Sequence, residues 1–245
     1  MTRALALTDR SMRERVSAQE WDTRVDLAAC YRLVALYGMT DLVYNHITAR
    51  VPDSADHVLI NPYGMLYDEI TASSLIKIDL EGRTVLQPDH AYSVNAAGYV
   101  IHSAVHSARQ DAHCVIHTHT RAGTAVSALA DGLMPLSQTA MRFAGHLAYH
   151  DYEGPAFNLI YWLEQACKIQ IDVLSCGRPL KVPTSDVVHT TSDALSGAEI
   201  TLDNESDTNP QLKTGAQKRQ SAGYGLLEWP ALLRRLDRLD PSYAD

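Results

Sequence analysis

Closely spaced cysteines are missing from this chain. Its four cysteines, Cys30, Cys114, Cys167 and Cys176, form no C-x-x-C motif and no dense pattern. This spacing is not typical of a disulfide framework. We therefore expect reduced, mostly buried thiols, as in a cytoplasmic protein.

Long apolar runs and an excess of positive charge are also missing. The apolar run ALAL before Thr8 is too short for a signal-peptide core or a membrane span. Lys and Arg number 21 against 29 Asp and Glu, which gives a formal net charge of -8. An acidic protein does not generally attract nucleic acid or an anionic membrane surface. We expect neither a nucleic-acid partner nor a membrane span.

The chain length allows one or two domains, and helices mixed with short strands predict an α/β or α+β domain. Hydrophobic residues make up 46% of the 245 positions, enough for one sizeable core. Ser17 and Glu20 fit a capping box at the start of a helix that ends near Gly38. Three segments alternate like strands: LVYNHITARV, HVLINPYG and SLIKIDLEG.

The second half of the chain continues this pattern. YVIHSAVHSARQ predicts a helix with Val100, Ile101, Ala104 and Val105 on its apolar side. HCVIHTH predicts a buried strand, GHLAYHDYEGP a strand and turn, and RAGTAVSALADG and YWLEQACKIQIDVL predict helices. We place the domain at 1–195, a polar loop or linker at 196–223, and a docking segment at 224–245.

The strand HCVIHTH carries the candidate site. Residues two apart in a strand face the same side, so His117 and His119 present adjacent imidazoles. Such a pair can ligate zinc or a similar ion, or can simply hydrogen-bond its neighbours, and a catalytic zinc normally needs a third protein ligand. The helix that starts at Arg121 would add a positive dipole end that favours anions.

Several segments together resemble the class II aldolase/adducin family. VIHTHTRAGTAVSAL resembles its histidine motif. Four stretches also look like successive family segments in family order: LVYNHITARV, LINPYGMLYDEITASSLIKIDLEG, GYVIHSAVHSARQDAHCVIHTHT and LAYHDYEGPAF. The C-terminal LLEWPALLRRLDRLDPSY is similar to the tail of the adducin-like bacterial branch. The resemblance runs from about Val25 to the neighbourhood of Val187, with one gap.

This resemblance implies an α/β fold, a three-layer α/β/α sandwich with a mainly antiparallel central sheet, assembled as a homotetramer. It implies a divalent metal, typically zinc, on His117, His119 and a third histidine. The metal acts as a Lewis acid on a small hydroxylated carbonyl substrate, and an upstream glutamate transfers protons. Asn61 and Gly64 match a loop of the family's substrate pocket, and Arg121 could meet an anionic substrate.

The chain departs from the family at two of these points. The position of the family glutamate, counted back from His117, is occupied by Gly98, and no acidic residue lies between Tyr92 and His102. Ala96 and Ala97 stand where the aldolases have hydroxyl residues that bind phosphate. His102 matches a family histidine that is not a ligand.

The third histidine is missing with its surroundings. In the family it lies in an N-H-G segment between HDYEGP and the helix that reads YWLEQAC, and here these two segments almost join. The remaining downstream histidines, His146, His150 and His189, have no N-H-G context. A substitute ligand stays an open possibility.

Three functional hypotheses follow. The first is a metal-dependent aldehyde-lyase, at best weak or altered because the glutamate and third histidine are missing. The second is a non-catalytic adducin-like binding or assembly module on the same fold. The third is different metal chemistry, such as a decarboxylase or an iron oxygenase, although the nearest acid, Asp111, precedes the strand and is badly placed.

Overall fold

The computed structural model describes residues 11–52, 54–144, 155–196 and 228–245. Within them, one antiparallel sheet has the strand order β4-β3-β2-β1-β5. In chain order the strands are β1 (His46–Arg50), β2 (His57–Ile60), β3 (Ile76–Asp79), β4 (Thr84–Leu86) and β5 (Cys114–His117). The helices are α1 (Ala18–Leu36), α2 (Ala96–Ala108), α3 (Arg121–Ser127), α4 (Gln138–Met141), α5 (Pro155–Ser175), α6 (Ser185–Ser196) and α7 (Glu228–Leu239). Short 3-10 turns lie at Met12–Arg15, Tyr67–Glu69, Ala72–Ser74 and Pro241–Ala244.

The side chains of β1 separate the two faces of the sheet. Ile47 and Ala49 enter the larger core with residues of α1. His46 and Thr48, which alternate with them, contact histidines of α2. Because alternate strand residues face opposite sides, α1 and α2 cover opposite faces of the sheet. The expected α/β architecture with helices on both faces and an antiparallel sheet is therefore confirmed.

The start of α1 is capped as expected only in part. The Ser17 side chain accepts a hydrogen bond from the Glu20 backbone N–H at 3.1 Å. The Glu20 carboxylate accepts instead from Arg24 Nε at 3.0 Å and from Lys77 Nζ at 2.7 Å. A buried arginine competes for the carboxylate more strongly than a backbone amide does, because its charge needs a partner.

The prediction for the apolar side of α2 was wrong. Val100 and Ile101 are 65% and 55% exposed, whereas His102 and His106 are fully buried. The histidines face the sheet because each finds a hydrogen-bond partner on β1, which offsets the cost of burying them. Sequence hydrophobicity alone does not reveal such partners.

The C-terminal segment lies against α1. Leu236 of α7 and Tyr243 belong to the same core cluster as Leu33 of α1. Arg32 of α1 also contacts Asp240, with Nη1 and Oδ2 2.9 Å apart. The strand and turn expected around 145–154 and most of the 196–223 segment lie outside the described residues, so the proposed domain limits stay predictions. None of the helices in the described part of the chain is long and apolar enough to cross a membrane.

Candidate metal site at the end of β5

His117 and His119 converge at the end of β5. The strand ends at His117, and Thr120 caps α3 by accepting from the Gly123 backbone N–H at 3.2 Å. Between these two elements the Nε2 atoms of His117 and His119 lie 2.7 Å apart. The strand does not extend to His119 as we expected, but the two imidazoles still meet as the spacing predicted.

The pair fits as two ligands of a divalent ion. Two imidazole nitrogens on a tetrahedral zinc stand about 3.3 Å apart, given zinc–nitrogen bonds of about 2.0–2.1 Å. The observed 2.7 Å separation needs an opening of only about 0.6 Å to match that value. Among the described residues, however, no group of three or more His, Cys, Asp or Glu side chains is placed to hold a metal.

A carboxylate beside His119 fixes which nitrogen of each imidazole carries a proton. Its Nδ1 lies 2.9 Å from Oδ2 of Asp41, in the turn between α1 and β1. A carboxylate accepts, so Nδ1 of His119 carries a proton and its Nε2, in the neutral ring, accepts from Nε2–H of His117. Burial, followed by the neighbouring His119, lowers the pKa of His117.

A third imidazole stacks on the pair. β1 and β5 pair antiparallel with His46 opposite His117, which brings the two rings to 4.9 Å between centroids at an angle of 12°. The pKa of His46 is lowered to about 4, first by burial and then by His117 and His119. His46 was not a candidate from the sequence, because only the strand register places it beside the pair.

A buried hydrogen-bond chain continues from His46 into α2. His46 Nδ1 lies 2.8 Å from His102 Nε2, and His102 Nδ1 lies 2.7 Å from Thr48 Oγ1. Thr48 Oγ1 lies 2.8 Å from His106 Nε2, and His106 Nδ1 has two neighbours, the Ala112 carbonyl at 3.2 Å and Arg50 Nη2 at 3.3 Å.

Burial keeps the histidines of this chain neutral. Loss of hydration is the largest cause that lowers the pKa of His102 to about 2 and that of His106 to about 4. Nearby histidines add to the effect at His102, and Arg50 adds to it at His106. Their imidazoles are therefore uncharged at neutral pH.

The other site candidates lie in different surroundings. Asn61 is buried, and its Oδ1 lies 2.9 Å from the Tyr31 hydroxyl within the core. Gly64 has φ +110°, and a side chain there would meet the Tyr92 ring. Arg121 is exposed at the first turn of α3. Their substrate contacts stay predictions.

The structure locates the position of the missing family glutamate and some of the residues considered as a substitute third ligand. Gly98, where the family has its glutamate, lies in the first turn of α2. His189 is exposed on α6, and His146 and His150 lie outside the described residues. Asp111 forms an ion pair with Arg109, with Oδ2 near Nη2. A third protein ligand therefore stays unidentified within the described ranges.

Two further carboxylates near the site, those of Asp41 and Glu164, were not found from the sequence. Asp41 lies 78 positions before its partner His119, and no local pattern links them. Glu164 of α5 accepts from the Thr120 hydroxyl at 2.6 Å and pairs with Lys168, so it supports the start of α3.

Comparison with known proteins agrees with this geometry. Residues 25–168 match the family described as the Class II Aldolase and Adducin N-terminal domain. A Pseudomonas aeruginosa protein named "Putative aldolase class 2 protein" is 40% identical over 264 residues, covering 93% of this chain and 94% of that protein. The aligned length exceeds the 245 residues of this chain, so the relative has residues without a counterpart here.

The similar proteins include both a bacterial aldolase II structure and an adducin. An aldolase II superfamily protein from Pseudomonas syringae superimposes with a TM-score of 0.80 at 38% identity, covering 96% of this chain and all of that one. Alpha-adducin of Rattus norvegicus is 51% identical over 131 residues, which cover 54% of this chain and 18% of that protein. The match over most of its length, together with the paired histidines at the end of β5, identifies this chain as a member of the class II aldolase/adducin family.

Proposed function

We propose that this protein binds a divalent metal ion through His117 and His119 and retains at best a weak or altered aldehyde-lyase activity. The observation that carries the proposal is the approach of the two Nε2 atoms to 2.7 Å. A bound ion would supply Lewis-acid polarisation of a carbonyl oxygen, and zinc is the ion we favour. The substrate class we propose is small hydroxylated carbonyl compounds.

The residues around the pair explain why we propose a weak activity. Gly98 has no side chain and cannot transfer the proton that the family glutamate handles. Asp41 lies on the Nδ1 side of His119, away from the Nε2 atoms, so it does not act as a third ligand in this geometry. The same placement argues against an iron oxygenase, which needs a carboxylate on the metal itself.

A non-catalytic binding or assembly module is the second candidate. It is favoured by the 51% identity to alpha-adducin, higher than the 40% to the Pseudomonas aeruginosa relative, although over a shorter segment. Under either function we propose that the protein is a homotetramer, from the family resemblance, and that it is cytoplasmic, from its four free thiols. In the catalytic case Gly64 and Arg121 would contact the substrate.

Metal analysis of purified protein tests the central proposal. We expect wild-type protein to retain zinc after dialysis and a His117→Ala, His119→Ala double variant to lose it. His113→Ala removes an exposed histidine that is not a candidate ligand and should retain the wild-type zinc content. Equal metal content in the double variant and the wild type would refute binding at this pair.

A lyase assay tests the second half of the proposal. With zinc present, we expect retro-aldol turnover of small sugar phosphates to be weak but detectable, and to disappear in the double variant. Robust turnover would show that the chain completes the site by other means. No turnover with retained metal would favour the binding-module candidate.

A further inference from the structure

Asp41 holds the side of His119 that faces away from the metal pair. Its Oδ2 lies 2.9 Å from Nδ1, while Nε2 of the same ring faces Nε2 of His117 at 2.7 Å. Each ring nitrogen of His119 therefore has one defined neighbour. A carboxylate at Nδ1 fixes the proton there and leaves the lone pair of Nε2 directed at His117.

The turn that carries Asp41 is itself held in place. The Asp41 backbone N–H donates to Oδ1 of Asn45, a buried side chain, and the Asp41 carbonyl accepts from the Tyr44 backbone N–H at 3.0 Å. The next residue, Leu42, has φ +46°, in the left-handed region that disfavours a leucine. Strain of this kind persists only where the surroundings impose it, and it clusters at functional sites.

An ordinary surface ion pair would explain the contact less well. Asp41 and His119 are 46% and 40% exposed in their side chains, and an exposed pair of this kind contributes little to stability. Such a pair does not require a strained turn or a buried amide to position it. Orientation of the imidazole accounts for both features, because it depends on where the carboxylate lies.

We propose that Asp41 is the positioning residue of the His117 and His119 pair, which it prepares for a divalent metal by fixing the ring and tautomer of His119. This inference rests on the proposed metal binding. Carboxylate partners of ligating histidines typically contribute 10–100-fold to metal affinity, and we expect an effect of about that size. Asp41 acts through His119 and does not touch the metal.

Zinc affinity, measured in the full chain by competition with a chromophoric chelator, tests the proposal. We expect Asp41→Ala to weaken zinc binding by about 10–100-fold. Asp41→Asn keeps an acceptor for Nδ1–H but loses the charge, so it should bind with intermediate affinity. Asp22→Ala removes an exposed aspartate of α1 and should match the wild type. Affinity of Asp41→Ala within about twofold of the wild type would overturn the proposal.

Imidazole nitrogen NMR of the metal-free protein separates this inference from metal binding. At pH 8 we expect His119 to be protonated at Nδ1 in the wild type and in Asp41→Asn, and to be a mixture of both tautomers in Asp41→Ala. An unchanged tautomer in Asp41→Ala would overturn the role of Asp41, whatever the zinc result. Failure of wild-type protein to bind zinc would contradict the proposed function, while the tautomer would still decide the role of Asp41.

Discussion

At the residue scale, His117 and His119 meet through their Nε2 atoms, and Asp41 and His46 reach this pair from distant parts of the chain. His117 and His119 could be identified because both lie in one short segment with a two-residue spacing. Asp41 and His46 could not, since the turn and the strand register that bring them to the pair join positions about 70 or more residues apart. A local pattern carries no information about such contacts.

At the residue scale, buried His106 predicts a fall in stability on mild acidification. Its folded-state pKa of about 4 lies below the ordinary 6.5, so the unfolded chain binds more protons between these values. The stabilisation is complete above pH 6.5 and decreases as the pH falls towards 4, by about 2 kcal/mol for one such group at pH 5. Denaturant unfolding followed by tryptophan fluorescence at pH 7, 6 and 5 measures it.

Two glutamine variants isolate this contribution. His106→Gln cannot titrate and should show a smaller loss of stability between pH 7 and pH 5 than the wild type. His189→Gln changes an exposed histidine of α6 and should keep the wild-type pH dependence. If His106→Gln loses as much stability as the wild type, the buried imidazole is not the cause.

At the scale of elements, the sequence located several helices and strands correctly, but it did not always predict which side of an element is buried. The predicted α1, β1, β2, β3 and α5 all form, and β3 shows the alternation of buried and half-buried residues expected of a strand. The exposed side of α2 was predicted incorrectly. Its histidines, rather than its valine and isoleucine, face the sheet because they form hydrogen bonds with β1. Burial depended on hydrogen bonding across elements, which is a tertiary effect.

The docking of α7 makes a prediction about this element. Leu236 is 4% exposed in the main core, whereas Leu239 in the same helix is 60% exposed. Leu236→Ala should destabilise the protein by about 2–4 kcal/mol, since it leaves a cavity between α7 and α1. Leu239→Ala should change stability by less than about 0.5 kcal/mol. Equal small effects in thermal or denaturant unfolding would mean that α7 does not pack on α1 in solution.

At the scale of the whole molecule, the order of strands could not be predicted without a family resemblance. Strand signals locate segments along the chain, but the order β4-β3-β2-β1-β5 depends on which edges pair. The return of the chain from α2 to place β5 beside β1 is the step that assembles the site. The largest core cluster joins residues of α1 with residues of α7 and the C-terminal turn, so both ends of the described chain contribute to it.

The thiols report on the integrity of the whole fold. Cys30, Cys114 and Cys167 are buried and Cys176 is exposed. Burial raises the pKa of Cys30 to about 12 and that of Cys167 to about 11, so neither forms a reactive thiolate at neutral pH. With an aromatic disulfide reagent, we expect one thiol to react rapidly in native protein and four in denaturant. A Cys176→Ser variant should show no rapid reaction, and rapid native reaction of several thiols would contradict the packed core.

The hydroxyl of Thr48 has one proton and two imidazole neighbours, His102 and His106. If His106 donates from Nδ1 to the Ala112 carbonyl, every donor in the chain points towards Ala112 and Nε2 of His46 carries a lone pair. If His106 Nδ1 instead accepts from Arg50, all the bonds reverse and His46 presents Nε2–H. The tautomers of three histidines are thus coupled. The partner of His106 Nδ1 beside Ala112 sets whether Nε2 of His46, whose ring stacks on His117, carries a lone pair or a proton.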